Sequence, residues 1–361
     1  MSATDPPPNV GFDLRPALFD YAGIGRYVRE LGSALTQLPD AEGPYLEFFA
    51  SAWQPGGTLP QALRARRWRM RRTLTPWAAP GGADVFHWTD YTYPKVRGSA
   101  TVMTLHDAAF VLNPKFHGWD SAKLLGRVRR AVNEADRVIV PSEPARDDAE
   151  LMGARAEQVV VVPHGVAPYF RPAERELPQQ GYLLTVGTLE PRKNYMRLLL
   201  ALERAWERDR APDWLLIARR GWDYEDFLNR MESSKHRRRI RWIESLPDAE
   251  LLRAYQGALA FVFPSMHEGF GLAVLEAMAC GVPPVVSVKT SPAWVAGPSA
   301  MLVAPKDVES IAEGIERIVA EEAWRRQAGA VARQRARTFS WERCARETAA
   351  VYAAAAAARR G

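Results

Sequence analysis

Short, uninterrupted apolar runs recur along the chain, separated by longer stretches in which apolar positions return every three or four residues. In the first half, NVGFDL (9–14), YLEFFA (45–50), DVFHW (84–88), TVMTLH (101–106), RVIVP (137–141) and VVVVP (159–163) predict strands, and the patterns over 24–37, 119–134 and 143–152 predict helices. Because the runs are continuous and do not alternate with polar residues, the strands should be buried on both faces, as in a parallel sheet covered by helices. VPHGVAPYFRP (162–172), punctuated by Pro and Gly and without period, breaks the alternation. It then resumes with strands at YLLTVGT (182–188), WLLIA (214–218), RIRWI (239–243), ALAFVFP (258–264), PVVSV (284–288) and MLVAP (301–305). FSWERCARETAAVYAAAAAARR closes the chain as a helix, with Ser340 as its N-cap and alanines of high helix propensity behind it. The pattern predicts an α/β protein of two doubly wound parallel-sheet domains, 1–165 and 166–340, followed by a terminal helix over 341–361.

Composition agrees with that picture and narrows it. At 361 residues, 47% hydrophobic and 25% charged, the chain is long enough for two well-buried cores and unlike a disordered one. MSATDPPPNV lacks the basic and apolar regions of a secretory leader, and no apolar stretch is long enough to span a bilayer, so a cytoplasmic location is expected. Two cysteines, Cys280 and Cys344, cannot build a disulfide framework or a thiolate metal cluster, and buried, reduced thiols are expected. The net charge of +6 is concentrated: RARRWRMRRT (64–73) holds six arginines and HRRRIRW (236–242) four more. The first run, Arg64 to Arg72, reads either as a patch for an anionic membrane surface or as a solvated face, the second more as a solvated face. No nucleic-acid-binding signature accompanies either.

In open parallel sheets ligands sit beyond the carboxyl ends of the strands. HEGFGLAVLEAMACG (267–281) lies there, with a loop following ALAFVFPS and then apolar positions at helical spacing. On one unbroken helix Glu268 and Glu276 would stand about 12 Å and about 80° apart. Gly269 and Gly271 break it, so the free N–H groups of a helix start face an anion site flanked by one carboxylate from the loop and one from the second turn. The alternative is an ordinary turn before a surface helix. VGTLEPRKN (186–194) leaves another strand and places Arg192 and Lys193 at its end, with Asn194 as a helix N-cap. Two cations at a helix start are unfavourable unless an anion is present, and together they can offset the charge of a departing diphosphate.

These segments carry a resemblance. HEGFGLAVLEAMACGVP after FVFPS is similar to the E-x7-E motif of the retaining glycosyltransferases of family 4, and GTLEPRKN to the diphosphate-gripping loop of that family. DLRPALFDYAGIGRYVREL resembles the family's opening strand and glycine loop, TLHDAAF its histidine loop, VPHGV its interdomain crossing and FSWE its last helix. The resemblance implies a GT-B fold, two Rossmann-like domains facing across a cleft, with the terminal helix packed back on the N-terminal domain. It implies that Arg192 and Lys193 clamp the donor diphosphate, that Glu276 binds ribose and that Glu268 binds the transferred sugar. Gly187, Gly269, Phe270, Gly271 and Leu272 would line the donor, and His106 would lie against the sugar near the reacting carbon. Gly23 and Gly25 would bring the N-terminal loop close to the diphosphate or acceptor, and the base would stack near Glu244 to Leu246. From its own surroundings His106 reads equally as a structural residue behind a strand, and His87 and Asp90 either line the acceptor side or do not.

The implied reaction moves a hexose from a nucleotide-diphosphate sugar to a hydroxyl of a saccharide or lipid-linked acceptor, with retention. GTLEPRKN and RRGWDYE (219–225) look most like bacterial polysaccharide mannosyltransferases, favouring GDP-mannose. No Asp-x-Asp metal motif is evident, and metal independence is expected, with no cofactor beyond the donor. Ala273 stands where the family usually has proline, Trp294 where it has glutamate and Pro298 where it has aspartate, departures that bear on local loop structure and sugar choice. A glycoside hydrolase would also use paired carboxylates but has no use for Arg192 and Lys193. A nucleotide-sugar-binding subunit without turnover is the other alternative.

Overall fold

The computed structural model of the chain describes residues 6–18, 22–51, 68–73, 81–91, 93–113, 116, 120–174 and 181–360. It divides into two compact units, one of Met1–Ala108, Ser121–Gly165 and Phe339–Gly361, the other of Ala109–Asp120 and Val166–Thr338.

The first unit is built on β1 (Asn9–Asp13), α1 (Arg15–Leu18), α2 (Ala22–Gln37), β2 (Tyr45–Ser51), β3 (Trp68–Thr73), β4 (Val85–Trp88) and β5 (Ala100–Thr104). After α3 (Ala109–Leu112), which clusters with the second unit, it continues through α4 (Ser121–Glu134), β6 (Arg137–Val140), α5 (Ala145–Leu151) and β7 (Val159–Val161). The seven strands pair in parallel in the order β3-β2-β1-β4-β5-β6-β7. Val10, Phe12, Val85, Phe86, Val102, Val138 and Val140 are wholly buried, as continuous apolar strands between two helical layers must be. β3 lies where the sequence suggested only a basic patch; its backbone forms the edge of the sheet beside β2.

The second unit runs β8 (Tyr182–Leu189), α6 (Tyr195–Glu207), β9 (Asp213–Arg220), α7 (Glu225–Glu232), β10 (Ile240–Ile243), α8 (Asp248–Gln256) and β11 (Ala258–Phe263). It ends with α9 (Leu272–Ala279), β12 (Pro284–Ser287), α10 (Ser291–Ala296), β13 (Met301–Val303), α11 (Val308–Ala320) and α12 (Glu322–Ala336). Its parallel order, β10-β9-β8-β11-β12-β13, repeats the doubly wound arrangement. The side chains of α6, with Leu198, Leu199, Leu202 and Trp206 buried, join Trp214, Leu216, Ile311 and Ile315 in one core. Asp307 accepts from the N–H groups of Glu309 and Ser310 and starts α11.

The last helix, α13 (Trp341–Arg360), belongs to the first unit, where it packs on α2, β4 and β5. Ser340 Oγ accepts from the Arg343 N–H at 3.1 Å, the expected cap. Tyr352 carries the packing into the sheet: it is wholly buried, and its hydroxyl meets His87 Nδ1 at 2.7 Å.

Candidate active site

In the second sheet the chain leaves β8 toward β9 and leaves β11 toward β12, so the loops beyond these two neighbouring strands diverge and open a crevice. Glu190–Asn194 fills the first loop and Pro264–Gly271 the second. They are tied to each other: the Met266 N–H donates to the Arg192 carbonyl at 2.7 Å, and Asn194 Nδ2 donates to the carbonyls of Pro264 at 2.9 Å and Pro305 at 2.7 Å. Asn194 begins α6 with a left-handed backbone at φ 65° and without a side-chain cap, because its Nδ2 joins the loops and its Oδ1 accepts from Arg197 Nη1 at 3.0 Å. That replaces the capping role expected of it.

The same joint gathers four charges. Arg192 Nη1 lies 2.7 Å from Glu268 Oε2 and its Nε 2.7 Å from Glu190 Oε1, while Lys193 Nζ lies 2.6 Å from Glu268 Oε1 and 3.8 Å from Glu190 Oε1. Arg192 also donates to the His267 carbonyl at 3.2 Å. Arg192, Lys193 and Glu268, each assigned a role from sequence, therefore converge. Glu190, to which no role was assigned from sequence, stands in the same loop one residue short of the two cations, with Pro191 between. The two carboxylates keep the cations ordered and balance them in a nearly buried setting, where an uncompensated charge is costly.

Gly271 stands at the head of α9 with φ 102°, a conformation that disfavours any side chain, and a Cβ there would meet Pro292 Cγ at 3.1 Å. Val274 and Leu275 both donate to the Gly271 carbonyl, so the N–H groups of Leu272 and Ala273 precede the first intrahelical bonds and carry the positive end of the helix. Gly269 and Phe270 are buried in the same loop. Glu276 is not a surface residue: it is 5% exposed and accepts from the Tyr255 hydroxyl at 2.8 Å. Gly187, on β8, is small for a local reason, since a Cβ would stand 2.7 Å from the Tyr195 hydroxyl. Glu244, expected near the base, pairs with Arg220 at 2.8 Å on the surface beyond β9 and β10.

The first unit has its own cluster beyond β1, β4 and β5. His106 lies two residues beyond the end of β5, is 9% exposed, and has Nε2 2.8 Å from the Thr89 carbonyl. A carbonyl only accepts, so Nε2 carries the proton and Nδ1 keeps its lone pair. Burial lowers the His106 pKa, with the Thr89 bond opposing the shift. The Thr89 hydroxyl donates to the Asp13 carbonyl at 2.6 Å, and Asp13 forms a buried pair with Arg15 at 2.5 Å. Tyr27 packs edge-on against His106 at 5.0 Å and close to His164 at 4.6 Å.

His87 departs from its expected place on the acceptor side. It is wholly buried within the sheet, with Nδ1 on Tyr352 and Nε2 2.8 Å from Thr104 Oγ1, so both ring nitrogens are occupied and burial depresses its pKa to about 3. It fastens α13 to the sheet. Asp90 is 8% exposed in the same region. Gly23 and Gly25 belong to the first turn of α2 and not to a loop, the helix starting at Ala22.

In the second arginine run, Arg237 pairs with Glu232 and Arg239 with Asp213, a solvated, ion-paired face as expected. Of the first run, 64–67 lie outside the described residues. Trp294 and Pro298 sit in α10 and the turn behind it, where Arg335 donates to the carbonyls of Trp294 at 2.7 Å and Val295 at 2.6 Å. Cys280 and Cys344 are buried free thiols, each raised to about 12 by burial. Among the described residues no helix is long and apolar enough to cross a membrane.

Two sequence families match: Glycosyltransferase Family 4 over residues 21–169 and Glycosyl transferases group 1 over residues 169–335. The chain is 29% identical over 379 residues to O-antigen chain mannosyltransferase B of Escherichia coli, covering 94% of this chain and 98% of that protein. Among solved structures, sucrose-phosphate synthase from Thermosynechococcus elongatus superposes with a TM-score of 0.77 at 20% identity over 97% of this chain and 99% of the other. Anabaena HepE in complex with UDP and glucose gives 0.72 at 15% identity, over 95% and 99%. With its two doubly wound sheets, its crevice beyond β8 and β11 and these matches along its length, the chain belongs to the GT-B glycosyltransferases and resembles the polysaccharide mannosyltransferases.

Proposed function

We propose that the chain transfers a hexose from a nucleotide-diphosphate sugar to a hydroxyl of a saccharide or lipid-linked acceptor, with retention at the anomeric carbon, in cell-surface polysaccharide synthesis. Mannose from GDP-mannose is the first candidate, on the strength of the likeness to O-antigen chain mannosyltransferase B. The observation that carries this reading is the convergence of Arg192 and Lys193 on Glu268 at the mouth of the second sheet. Bond breaking leaves positive charge on an oxocarbenium-like sugar and negative charge on the departing diphosphate. Arg192, Lys193 and the positive end of α9 stabilise that diphosphate, and groups aimed at developing charge are worth most in a dry site. The acceptor attacks from the face the diphosphate leaves, and a donor phosphate oxygen takes its proton. Glu268 positions the sugar without forming a bond to it, Glu276 holds the ribose, and His106 presents its fixed tautomer to the sugar.

A hydrolase would need one of its glutamates as a proton donor. Both oxygens of Glu268 are instead paired with cations, Arg192 at 2.7 Å and Lys193 at 2.6 Å, a clamp for which a hydrolase has no use. Because the two side-chain cations take the part a metal ion plays elsewhere, we propose metal independence, in a cytoplasmic enzyme that touches the inner membrane face through Arg64–Arg72. A panel of nucleotide sugars screened by thermal shift, followed by turnover of the best donor with and without EDTA, tests the reading. Stabilisation by a nucleoside diphosphate and turnover insensitive to EDTA are expected. Failure of every nucleoside diphosphate to stabilise the chain contradicts the function, and loss of turnover with EDTA contradicts metal independence.

A further inference from the structure

Tyr195 opens α6, its ring 5.6 Å from that of Phe227 and only 4% of its surface exposed. Its phenolic oxygen is buried and has no hydrogen-bond partner among the described residues. Buried hydroxyls are nearly always satisfied, so the position calls for an acceptor that the described residues do not supply. The place where a Cβ on Gly187 would stand is 2.7 Å from that oxygen, 3.9 Å from Lys193 Cε and 3.9 Å from Phe263 Cε2. Lys193 Nζ in turn lies 4.9 Å over the Phe263 ring. The hydroxyl thus ends beside the charged tip of the clamp, next to a stretch of β8 that is partly open at Gly187.

The surroundings fix what it can do. Burial, and after it the negative charge of Glu190 and Glu268, push the Tyr195 pKa well above its usual value, so the phenol keeps its proton and acts as a donor. The first turn of α6 contains no acidic residue, so the helix start itself favours an anion, beside the two cations that Glu190 and Glu268 balance. We propose that the Tyr195 hydroxyl donates a hydrogen bond to a non-bridging oxygen of the donor's diphosphate beside Lys193, making a third donor of the grip formed by Arg192 and Lys193. This rests on the reading of the site as one for a nucleotide-diphosphate sugar and adds a residue to which no role was assigned. Gly187 then has a double use: its missing side chain leaves room for the hydroxyl and for the phosphate oxygen that meets it.

Tyr195→Phe removes one oxygen and leaves the ring. Titration calorimetry of the full chain with GDP, UDP and inorganic pyrophosphate should show affinity for the anion that binds wild type falling about tenfold in the variant, the effect of losing a bond to a charged acceptor. Its melting temperature without ligand should equal or exceed that of wild type, because no partner within the protein is lost. Unchanged diphosphate affinity overturns the proposal. So does a lower melting temperature in the unliganded variant, which reveals a partner for the hydroxyl within the protein. Wild type that binds none of the three anions overturns the donor reading as well, and so separates the two failures.

Discussion

Glu268 is the residue on which the charge balance of the site turns. It spans Arg192 and Lys193, so any diphosphate that uses those cations must share them with a carboxylate. Glu268→Gln keeps the shape and removes the negative charge. Nucleoside diphosphate should then bind at least as tightly as to wild type, while turnover falls about 100-fold because the sugar loses its charged anchor. Weaker nucleoside diphosphate binding in a folded variant would mean that Glu268 serves chiefly to position the cations. The identities of these residues were legible in EPRKN and HEGFG, but the pairing was not: sequence spacing places each residue on its loop without saying which loops share a mouth. Glu190 was missed for that reason, and Tyr195 because an aromatic residue opening an apolar helix reads as core. His87 shows the converse error, since a histidine at a strand end looks available until the partner 265 residues away, Tyr352, is seen to cover it.

Elements were most legible where burial is two-sided. Continuous runs such as FVF or VIV have no polar face to present and so announce central strands. β3 is less legible: Trp68 and Met70 alternate with Arg69 and Arg71 in the period-two pattern of a strand, but the six arginines over 64–73 read equally as a basic patch. Charged residues on an edge strand also discourage pairing with another chain. α9 depends on its first residue. Gly271→Ala places a Cβ in a left-handed backbone and within 3.1 Å of Pro292 Cγ, which should cost about 1–2 kcal/mol of stability and weaken donor binding by moving the N–H groups of Leu272 and Ala273. Urea unfolding and donor titration check the two effects, and a variant that retains both wild-type stability and wild-type affinity would show that neither the backbone conformation nor the N–H groups matter.

At the scale of the molecule, the first unit carries a pH liability in three buried histidines. His87, His106 and His164 are buried in the first unit with pKa values lowered chiefly by burial, His87 to about 3. A folded pKa below the unfolded one means that the unfolded chain takes up protons first, so this stability is fully present above about pH 6.5 and is lost as pH falls toward the folded values. For His87 alone the loss between pH 7.5 and 5.5 is on the order of 1 kcal/mol, and the other two add in the same direction. The urea transition of the unit containing α13 should move to lower denaturant at pH 5.5, and a midpoint that does not move would show that these histidines are not neutral in the fold. The most direct test of the account as a whole is release of nucleoside diphosphate from the best nucleotide-sugar donor in the presence of acceptor, compared between wild type and Lys193→Ala. The account predicts turnover in wild type and a loss of at least about 100-fold in the folded variant, the usual effect of removing a group that stabilises developing charge; equal turnover in the two proteins would contradict it.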